Sequence, residues 1–296
     1  MKKKWTAALA VLLTLLMLTG AAAGRNRSRP ASAPASSATA DNGERVCLPI
    51  LMYHEVKRSR TGKDCITPAE LEGDLAFLKR SGYTTVTMTD LIQYADGKAP
   101  LPAKPIVLSF DDGYLSTYRY AYPLVRKYDM KMVLSIIGKS ADDFTEAPSD
   151  NIDCSHATWE QIREMLASGY VEIQNHTYNL HHITRKRFGC QKKRSESSTG
   201  YEKVLTDDLD RMQQEVYIMT GVRPNTFTYP YGKVSPESVP VLKRLGFRAS
   251  LTCDYGLNLI GRDPQALYGL RRICRPHGSS AQKMLKEAQK TLKYRK

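Results

Sequence analysis

The sequence predicts an α/β protein whose parallel strands close into a barrel of about seven strand–helix units. Short apolar runs typical of buried strands alternate with stretches of helical periodicity along most of the chain. Repeated alternation of this kind indicates a parallel sheet, either open or closed, and the number of units favours closure. The predicted strands are residues 48–53, 84–87, 106–110, 132–137, 171–174, 226–229 and 248–251.

The helices between these strands are predicted from their start and stop signals. Thr67 and Glu70 form a capping box around Pro68, which occupies the first helical position. Thr158 and Gln161 form a second capping box. Further amphipathic stretches cover residues 116–127, 203–220 and 236–245. Glycines that are expected to end helices follow several of these runs: Gly82, Gly169, Gly221 and Gly246.

The first residues of the chain indicate export. Lysines at positions 2–4 precede an uncharged apolar stretch, residues 5–23, which ends in three alanines. This pattern is typical of a signal peptide, and the stretch is also long enough for an uncleaved anchor. We therefore expect residues 1–23 to be a signal peptide or membrane anchor. The protein is then secreted or membrane-anchored, with its main domain outside the cytoplasm.

The composition of the rest of the chain predicts three further segments. Residues 24–45 are rich in Arg, Pro, Ser and Ala, which predicts a flexible basic linker. Residues 46–280 carry the strand–helix pattern and form the predicted main domain. Residues 281–296 are basic and predict a C-terminal helix or tail.

The charge of the chain favours anionic partners. Its 296 residues include 44 Lys and Arg against 30 Asp and Glu, a formal net charge of +14. Such an excess favours nucleic acid, anionic lipid or an acidic cell wall, but export argues against nucleic acid. We expect a monomer that contacts an anionic cell-wall or membrane surface. The six cysteines contain no C-x-x-C pair, which argues against structural zinc, and their disulfide pairing stays open.

Two adjacent carboxylates follow one of the predicted strands. Asp111 and Asp112 come directly after an apolar run and precede Gly113. These three residues are also a common turn sequence. Functional residues of parallel α/β proteins, however, gather where strands end. Adjacent side chains there can enter one site, one as a metal ligand and the other as a base.

A cluster of histidines follows another predicted strand. Three of the six histidines in the chain lie close together: His176, His181 and His182. A lone histidine is usually structural, whereas three after a strand are more typical of metal ligands. Two neutral imidazoles and one carboxylate leave positions open on zinc or a similar ion, as a hydrolytic metal centre requires. A third strand ends in aromatic residues, proline and glycine at residues 227–232, where backbone N–H groups can hold a developing oxyanion.

Together and in this order, the three segments resemble the polysaccharide deacetylases of carbohydrate esterase family 4, the nodulation-factor deacetylase type. The resemblance covers about residues 46–277. It implies a distorted barrel of strand–helix units. It also implies hydrolysis of the amide bond of N-acetylated sugars with the help of a divalent metal, commonly zinc.

The resemblance assigns roles to individual residues. Asp111 matches the general base, and Asp112 and His176 match metal ligands. The second histidine ligand departs from the commonest spacing and falls one residue later, at His181. That longer spacing resembles the branch acting on the poly-N-acetylglucosamine of biofilms and also some sporulation or wall deacetylases. His182 remains an alternative ligand.

Two family positions are occupied differently in this chain. Thr228 stands where the family has an arginine that orients the base, and Arg272 is the candidate replacement. The usual C-terminal strand with the catalytic-acid histidine is missing, because His277 does not follow a hydrophobic run. An apolar strand instead ends at His54, near the start of the domain, which resembles the circularly permuted arrangement of the same branch. His54 is then the acid, unless it only caps a core strand.

The resemblance implies removal of acetyl groups from N-acetylglucosamine units of an extracellular or cell-wall polysaccharide. Poly-N-acetylglucosamine, peptidoglycan and a chitin-like polymer are the candidate substrates. The alternative is a non-catalytic carbohydrate-binding protein, and the complete set of base and metal residues favours the enzyme. The oxyanion is expected to rest on the metal and on the N–H of Tyr231. Tyr229, Tyr231 and Trp159 offer flat faces for sugar rings and are equally typical of a core.

Overall fold

Strands and helices alternate throughout residues 45–293, the part of the chain that the computed structural model describes. The expected signal segment and all but the last residue of the expected linker lie outside the described residues. The strands are β1 (Val46–Leu48), β2 (Ile50–Tyr53), β3 (Glu55–Val56), β4 (Cys65–Ile66), β5 (Thr84–Thr85), β6 (Pro105–Phe110), β7 (Met132–Ile136), β8 (Val171–Asn175), β9 (Thr226–Thr228), β10 (Ala249–Tyr255), β11 (Asn258–Ile260) and β12 (Leu270–Cys274).

The helices begin where side chains cap them. The Thr67 hydroxyl accepts from the Glu70 N–H and the Glu70 carboxylate accepts from the Thr67 N–H, so the predicted capping box is present. Thr158 and Gln161 form the second predicted box in the same way. The helices are α1 (Pro68–Arg80), α2 (Met88–Ala95), α3 (Tyr122–Lys127), α4 (Gly138–Glu146), α5 (Trp159–Ala167), α6 (Ser198–Thr220), α7 (Ser238–Arg244) and α8 (Ala281–Lys293).

Seven parallel strands close into a barrel in the order β2, β12, β10, β9, β8, β7 and β6. Closure occurs because β6 pairs with β2 as well as with β7, and Ile50 lies opposite Val107. The barrel is irregular, since β8 and β9 pair through one register position, Asn175 opposite Phe227. The predicted α/β barrel of about seven units is confirmed.

Alternation along the strands separates the two sides of the barrel wall. In β6, Leu108 belongs to the large apolar cluster that the outer helices cover. Val107 belongs to a second cluster with residues of β2, β7, β10 and β12, which fills the interior. Successive strand residues point to opposite faces. Ser109 therefore points to the barrel interior like Val107, and Arg272 points there like Leu270. The interior is polar at the level of Ser109 and Arg272.

A buried ion pair joins the beginning and the end of the domain. Asp74 on α1 and Arg275 after β12 are both buried, and Arg275 Nε donates to Asp74 Oδ2 at 2.7 Å. The Tyr53 hydroxyl and the Ala281 backbone N–H also donate to this carboxylate. Leu285 of α8 packs into the large apolar cluster. The C-terminal helix is therefore part of the packed structure around the barrel.

Neither a disulfide nor a membrane-spanning helix contributes to the part of the chain that the structure describes. All six cysteines are unpaired: Cys47, Cys65, Cys154, Cys190, Cys253 and Cys274. Within residues 45–293, no helix combines the length and the apolar character needed to cross a bilayer. The apolar clusters and the polar contacts thus hold this region together without covalent cross-links.

We expect Asp74→Ala to reduce the free energy of unfolding by about 3–5 kcal/mol, because it removes the carboxylate that hydrogen-bonds the buried Arg275 guanidinium and leaves it the more distant Glu70 carboxylate, 3.7 Å away. Urea unfolding measures the loss. The matched control is Glu72→Ala on the same helix, since Glu72 pairs with Lys127 at the surface. Exposed pairs contribute only about 0–1 kcal/mol. Equal losses in the two variants would contradict the importance of the buried pair.

Candidate active site

The predicted catalytic residues converge at one end of the barrel. His54 follows β2, Asp111 and Asp112 follow β6, and His176 follows β8. The carboxyl ends of parallel strands meet at the same edge of the barrel. These side chains consequently line one cavity of about 360 Å³, together with His181 from the loop after β8.

Asp112, His176 and His181 form a group that could hold a metal ion. One ligand atom from each residue lies within 4.8 Å of the others. Asp112 Oδ1 is 3.4 Å from His176 Nε2 and 3.2 Å from His181 Nε2. This oxygen is buried and makes no hydrogen bond with any described residue. A buried carboxylate oxygen that faces two imidazole nitrogens fits a divalent cation such as zinc.

The two imidazoles differ in their protonation. His176 Nδ1 lies 2.7 Å from the carbonyl oxygen of Thr228. Because a carbonyl only accepts, Nδ1 keeps its proton and Nε2 is the nitrogen that faces Asp112. Burial lowers the pKa of His176, but the Asp112 and Asp111 carboxylates outweigh burial and raise this pKa, so metal binding at Nε2 would release a proton. Burial and the neighbouring His176 lower the pKa of His181 to about 4. The His181 ring is therefore neutral near pH 7, as a metal ligand must be.

Three residues of the strand-end loops have left-handed backbone conformations without being glycine. Their φ values are 68° at Asp112, 75° at Thr177 and 56° at Tyr231. Such conformations cost about 1–3 kcal/mol each and persist where the surroundings fix them. Asp208 fixes the loop after Thr177, because its carboxylate accepts from the Tyr178 backbone N–H at 2.8 Å. Three of the five non-glycine residues with positive φ in the described part of the chain thus lie in loops that carry the candidate site.

Asp111 is held by a buried arginine inside the barrel. Arg272 is 0% exposed, and its Nη1 donates to Asp111 Oδ1 and to Ser109 Oγ, at 2.8 Å each. Its Nε donates to the carbonyl oxygen of Thr252 at 2.7 Å. Burial by itself raises the pKa of the Asp111 carboxyl, but Arg272 and His176 outweigh burial and lower it below its usual value. Asp111 is an ionised carboxylate at neutral pH, as a general base requires.

The two candidate acid histidines occupy different environments. His54 lines the cavity, and its Nε2 is 3.9 Å from Asp111 Oδ2. His277 lies apart from the described cavity-lining residues, with its Nδ1 2.7 Å from Glu70 Oε2 at the start of α1. The structure therefore brings His54, and not His277, next to the candidate base.

Of the three aromatic residues considered for sugar binding, Tyr231 is the one that lines the cavity. It is 37% exposed, and its ring centroid is 4.6 Å from that of His181. Tyr229 is 1% exposed, and its hydroxyl hydrogen-bonds Ser238. Trp159 is also buried. The expectation that the side chains of Tyr229 and Trp159 contact a substrate is wrong, because both pack inside the protein.

Four of the cavity-lining residues are not predicted as site residues from the sequence: Glu55, Asp64, Tyr114 and Cys253. The Tyr114 hydroxyl donates to the Asp112 carboxylate, and burial together with Asp112 raises the pKa of Tyr114. The ring of Tyr114 stacks on His156, whose Nδ1 donates to the Asp112 carbonyl oxygen at 2.9 Å. Their positions in the sequence could have identified two of them as cavity residues, since Tyr114 comes directly after the Asp111–Gly113 motif and Glu55 comes directly after His54.

The sequence profile described as polysaccharide deacetylase matches residues 98–250 of this chain. The chain therefore belongs to the polysaccharide deacetylase family, and the resemblance noted in its motifs is confirmed. Over 210 residues it is 27% identical to the poly-beta-1,6-N-acetyl-D-glucosamine N-deacetylase of Escherichia coli K12. That match covers 65% of this chain and 31% of the relative, so the chain spans about a third of that protein.

Other relatives match over more of their length. The putative polysaccharide deacetylase YxkH of Bacillus subtilis is 29% identical over 227 residues, which cover 76% of this chain and 70% of the relative. A de-N-acetylase structure from Aggregatibacter actinomycetemcomitans has a TM-score of 0.70 at 28% identity, covering 82% of this chain and 99% of that one. The structure of IcaB from Ammonifex degensii has a TM-score of 0.65 at 27% identity, and the match covers 82% of this chain and 96% of IcaB.

We expect His181→Ala to weaken zinc binding by more than about 100-fold, since loss of an outer partner of a ligand alone costs about 10–100-fold. His182→Ala should bind zinc normally. His181 Nε2 faces Asp112, whereas His182 is exposed and interacts electrostatically with Asp208. Zinc titration and elemental analysis of the two purified variants measure the effect. The opposite pattern would identify His182 as the second histidine ligand.

Proposed function

We propose that this protein is a metal-dependent N-deacetylase acting on N-acetylglucosamine units of an extracellular or cell-wall polysaccharide. The observation that carries the proposal is the pairing of two groups in one cavity. Asp111 is held ionised by Arg272 beside a separate Asp/His/His group. Hydrolysis needs both a base and an electrophilic group. A non-catalytic carbohydrate-binding protein requires neither a general base nor a metal site, so this pairing favours the enzyme.

Poly-β-1,6-N-acetylglucosamine is the substrate we favour. The relatives from Escherichia coli and Staphylococcus aureus are named as N-deacetylases of that polymer. The cavity of about 360 Å³ is near the lower end of small-molecule sites, about 300–1,000 Å³, which suits one sugar of a polymer at a time. Peptidoglycan and chitin-like polymers carry the same acetamide and are the competing substrates.

The residues present fit zinc as the divalent metal. Asp112, His176 and His181 would hold the ion through one carboxylate oxygen and two imidazole nitrogens, a donor set that leaves coordination positions open. When bound, the ion supplies a Lewis acid that polarises the acetamide carbonyl and makes water easier to ionise. The buried Asp112 oxygen then gains the partner that it lacks among the described residues.

Asp111 is the general base in this proposal. Arg272 occupies its Oδ1, so Oδ2 is the oxygen left to accept a proton from the attacking water. The guanidinium also keeps the carboxylate ionised before the reaction. The backbone N–H of Tyr231, at the edge of the cavity, stabilises the negative charge that develops on the carbonyl oxygen.

His54 is the general acid. The amine leaving group is too basic to depart without a proton, and a positioned imidazolium supplies one. His54 is suited to this role because it lines the cavity and its Nε2 lies 3.9 Å from Asp111 Oδ2.

We also propose that the enzyme is secreted or membrane-anchored and acts outside the cytoplasm as a monomer. The lysine-led apolar segment at residues 1–23 supports export, and the basic linker at residues 24–45 would serve as a tether. The net charge of +14 supports contact with an anionic cell-wall or membrane surface.

The proposed function is tested by acetate release from poly-β-1,6-N-acetylglucosamine, peptidoglycan strands and chitin oligomers. We expect release with zinc, loss with a chelator and recovery when zinc is restored, with the β-1,6-linked polymer turned over fastest. Asp111→Asn should bind zinc normally and lose most turnover. Release that does not depend on metal would contradict the proposed mechanism. Binding of the polymers without any release would support the carbohydrate-binding alternative.

We expect His54→Ala to lower kcat/KM by about 10²–10⁴, the usual contribution of a positioned acid, with zinc content unchanged. His277→Ala should retain activity, because His277 contacts Glu70 and lies apart from the cavity. Steady-state acetate release and elemental analysis of both variants provide the comparison. If His277→Ala loses activity and His54→Ala retains it, the general acid is His277 at the C-terminal end of the domain.

A further inference from the structure

Two exposed aromatic rings lie in contact beside the catalytic cavity. Phe188 is 36% exposed, and its ring centroid is 5.0 Å from that of Tyr231 in an edge-to-face arrangement. Tyr231 in turn lines the cavity and contacts His181. We call Phe188 and Tyr231 the aromatic shelf. The shelf continues from a candidate metal ligand to the protein surface.

The loop that carries Phe188 is held in place from several sides. Phe188 pairs with Ile183 in an antiparallel bridge, and the Gly189 N–H donates to the His182 carbonyl oxygen at 3.0 Å. The preceding residue, Arg187, is buried and forms an ion pair with Glu196. Adjacent residues of an extended segment point to opposite faces. The buried Arg187 thus directs Phe188 outward.

The shelf is also fixed by a close approach of two backbone segments. Gly189 has φ of 56°, and a Cβ there would lie 3.1 Å from the Tyr231 ring and 3.2 Å from Pro230. Glycine therefore lets the Phe188 loop pack directly against the Pro230–Gly232 turn. The Lys233 ammonium lies 6.0 Å from the Phe188 ring centroid, at the outer limit of a cation–π contact.

We propose that the aromatic shelf binds the sugar next to the one whose acetamide enters the cavity. This inference rests on the proposed function and adds to it a second binding position. The cavity accommodates about one sugar, so the polymer must continue over the adjoining surface. The C–H faces of a β-linked sugar ring are apolar, and they gain by covering exposed aromatic rings. Continuity with the cavity through Tyr231 favours a sugar of the same polymer as the occupant.

The test measures the KM of acetate release and the Kd of a β-1,6-linked N-acetylglucosamine tetramer. Kd is determined by calorimetry in zinc-loaded Asp111→Asn protein, which is expected to bind without turnover. We expect Phe188→Ala to raise both constants by about 3- to 10-fold, the effect of losing one aromatic contact. Phe188→Tyr should restore both values, because it keeps the ring.

Tyr217→Ala is the matched control, since Tyr217 is a tyrosine of 48% exposure near the end of α6, before the amino end of strand β9. It should leave the tetramer KM and Kd unchanged. Unchanged constants in Phe188→Ala, or an equal loss in Tyr217→Ala, would overturn the shelf while acetate release by the wild type still supports the proposed function. If the wild type releases no acetate and the Asp111→Asn protein does not bind the tetramer, the proposed function and the shelf are both overturned.

Discussion

The ion pair between Arg272 and Asp111 is the interaction on which the candidate site depends. Taking two charges out of water is costly, and the pair is stable only because further hydrogen bonds satisfy the guanidinium. Ser109 and the Thr252 carbonyl supply them. β12 and β6 both pair with β2, so closure of the barrel brings Arg272 to Asp111. The fold and the charge state of the candidate base are therefore consequences of the same strand pairing.

Small, fully buried polar residues occupy three of the barrel strands, β6, β7 and β9. Ser135 and Thr228 hydrogen-bond each other at 2.7 Å, and Ser109 contacts Arg272 directly. A large side chain in place of Ser109 would compete with the guanidinium for space, since protein interiors are close-packed. The chain thus has a threonine at the position where the resemblance implies an arginine, and the guanidinium beside Asp111 comes from β12.

Strand order explains how a histidine near the start of the domain reaches residues from the middle of the chain. β2 lies between β12 and β6, so His54 emerges beside Asp111 at the same edge of the barrel. The Asp74–Arg275 pair joins α1 to the segment after β12 and holds β2 through Tyr53. These pairings explain how a histidine from the start of the domain and carboxylates from the middle of the chain line one cavity.

The sequence by itself determined the alternation of strands and helices and the capped helix starts. It also determined that Asp111, Asp112 and His176 follow strands. These features depend on neighbouring residues and their periodicity. Only the tertiary structure decided that His181 faces Asp112 while His182 is exposed. It also decided which aromatic side chains are buried and that Phe188 meets Tyr231. Those outcomes depend on how loops and strands distant in the chain pack together, and local sequence patterns do not specify such packing.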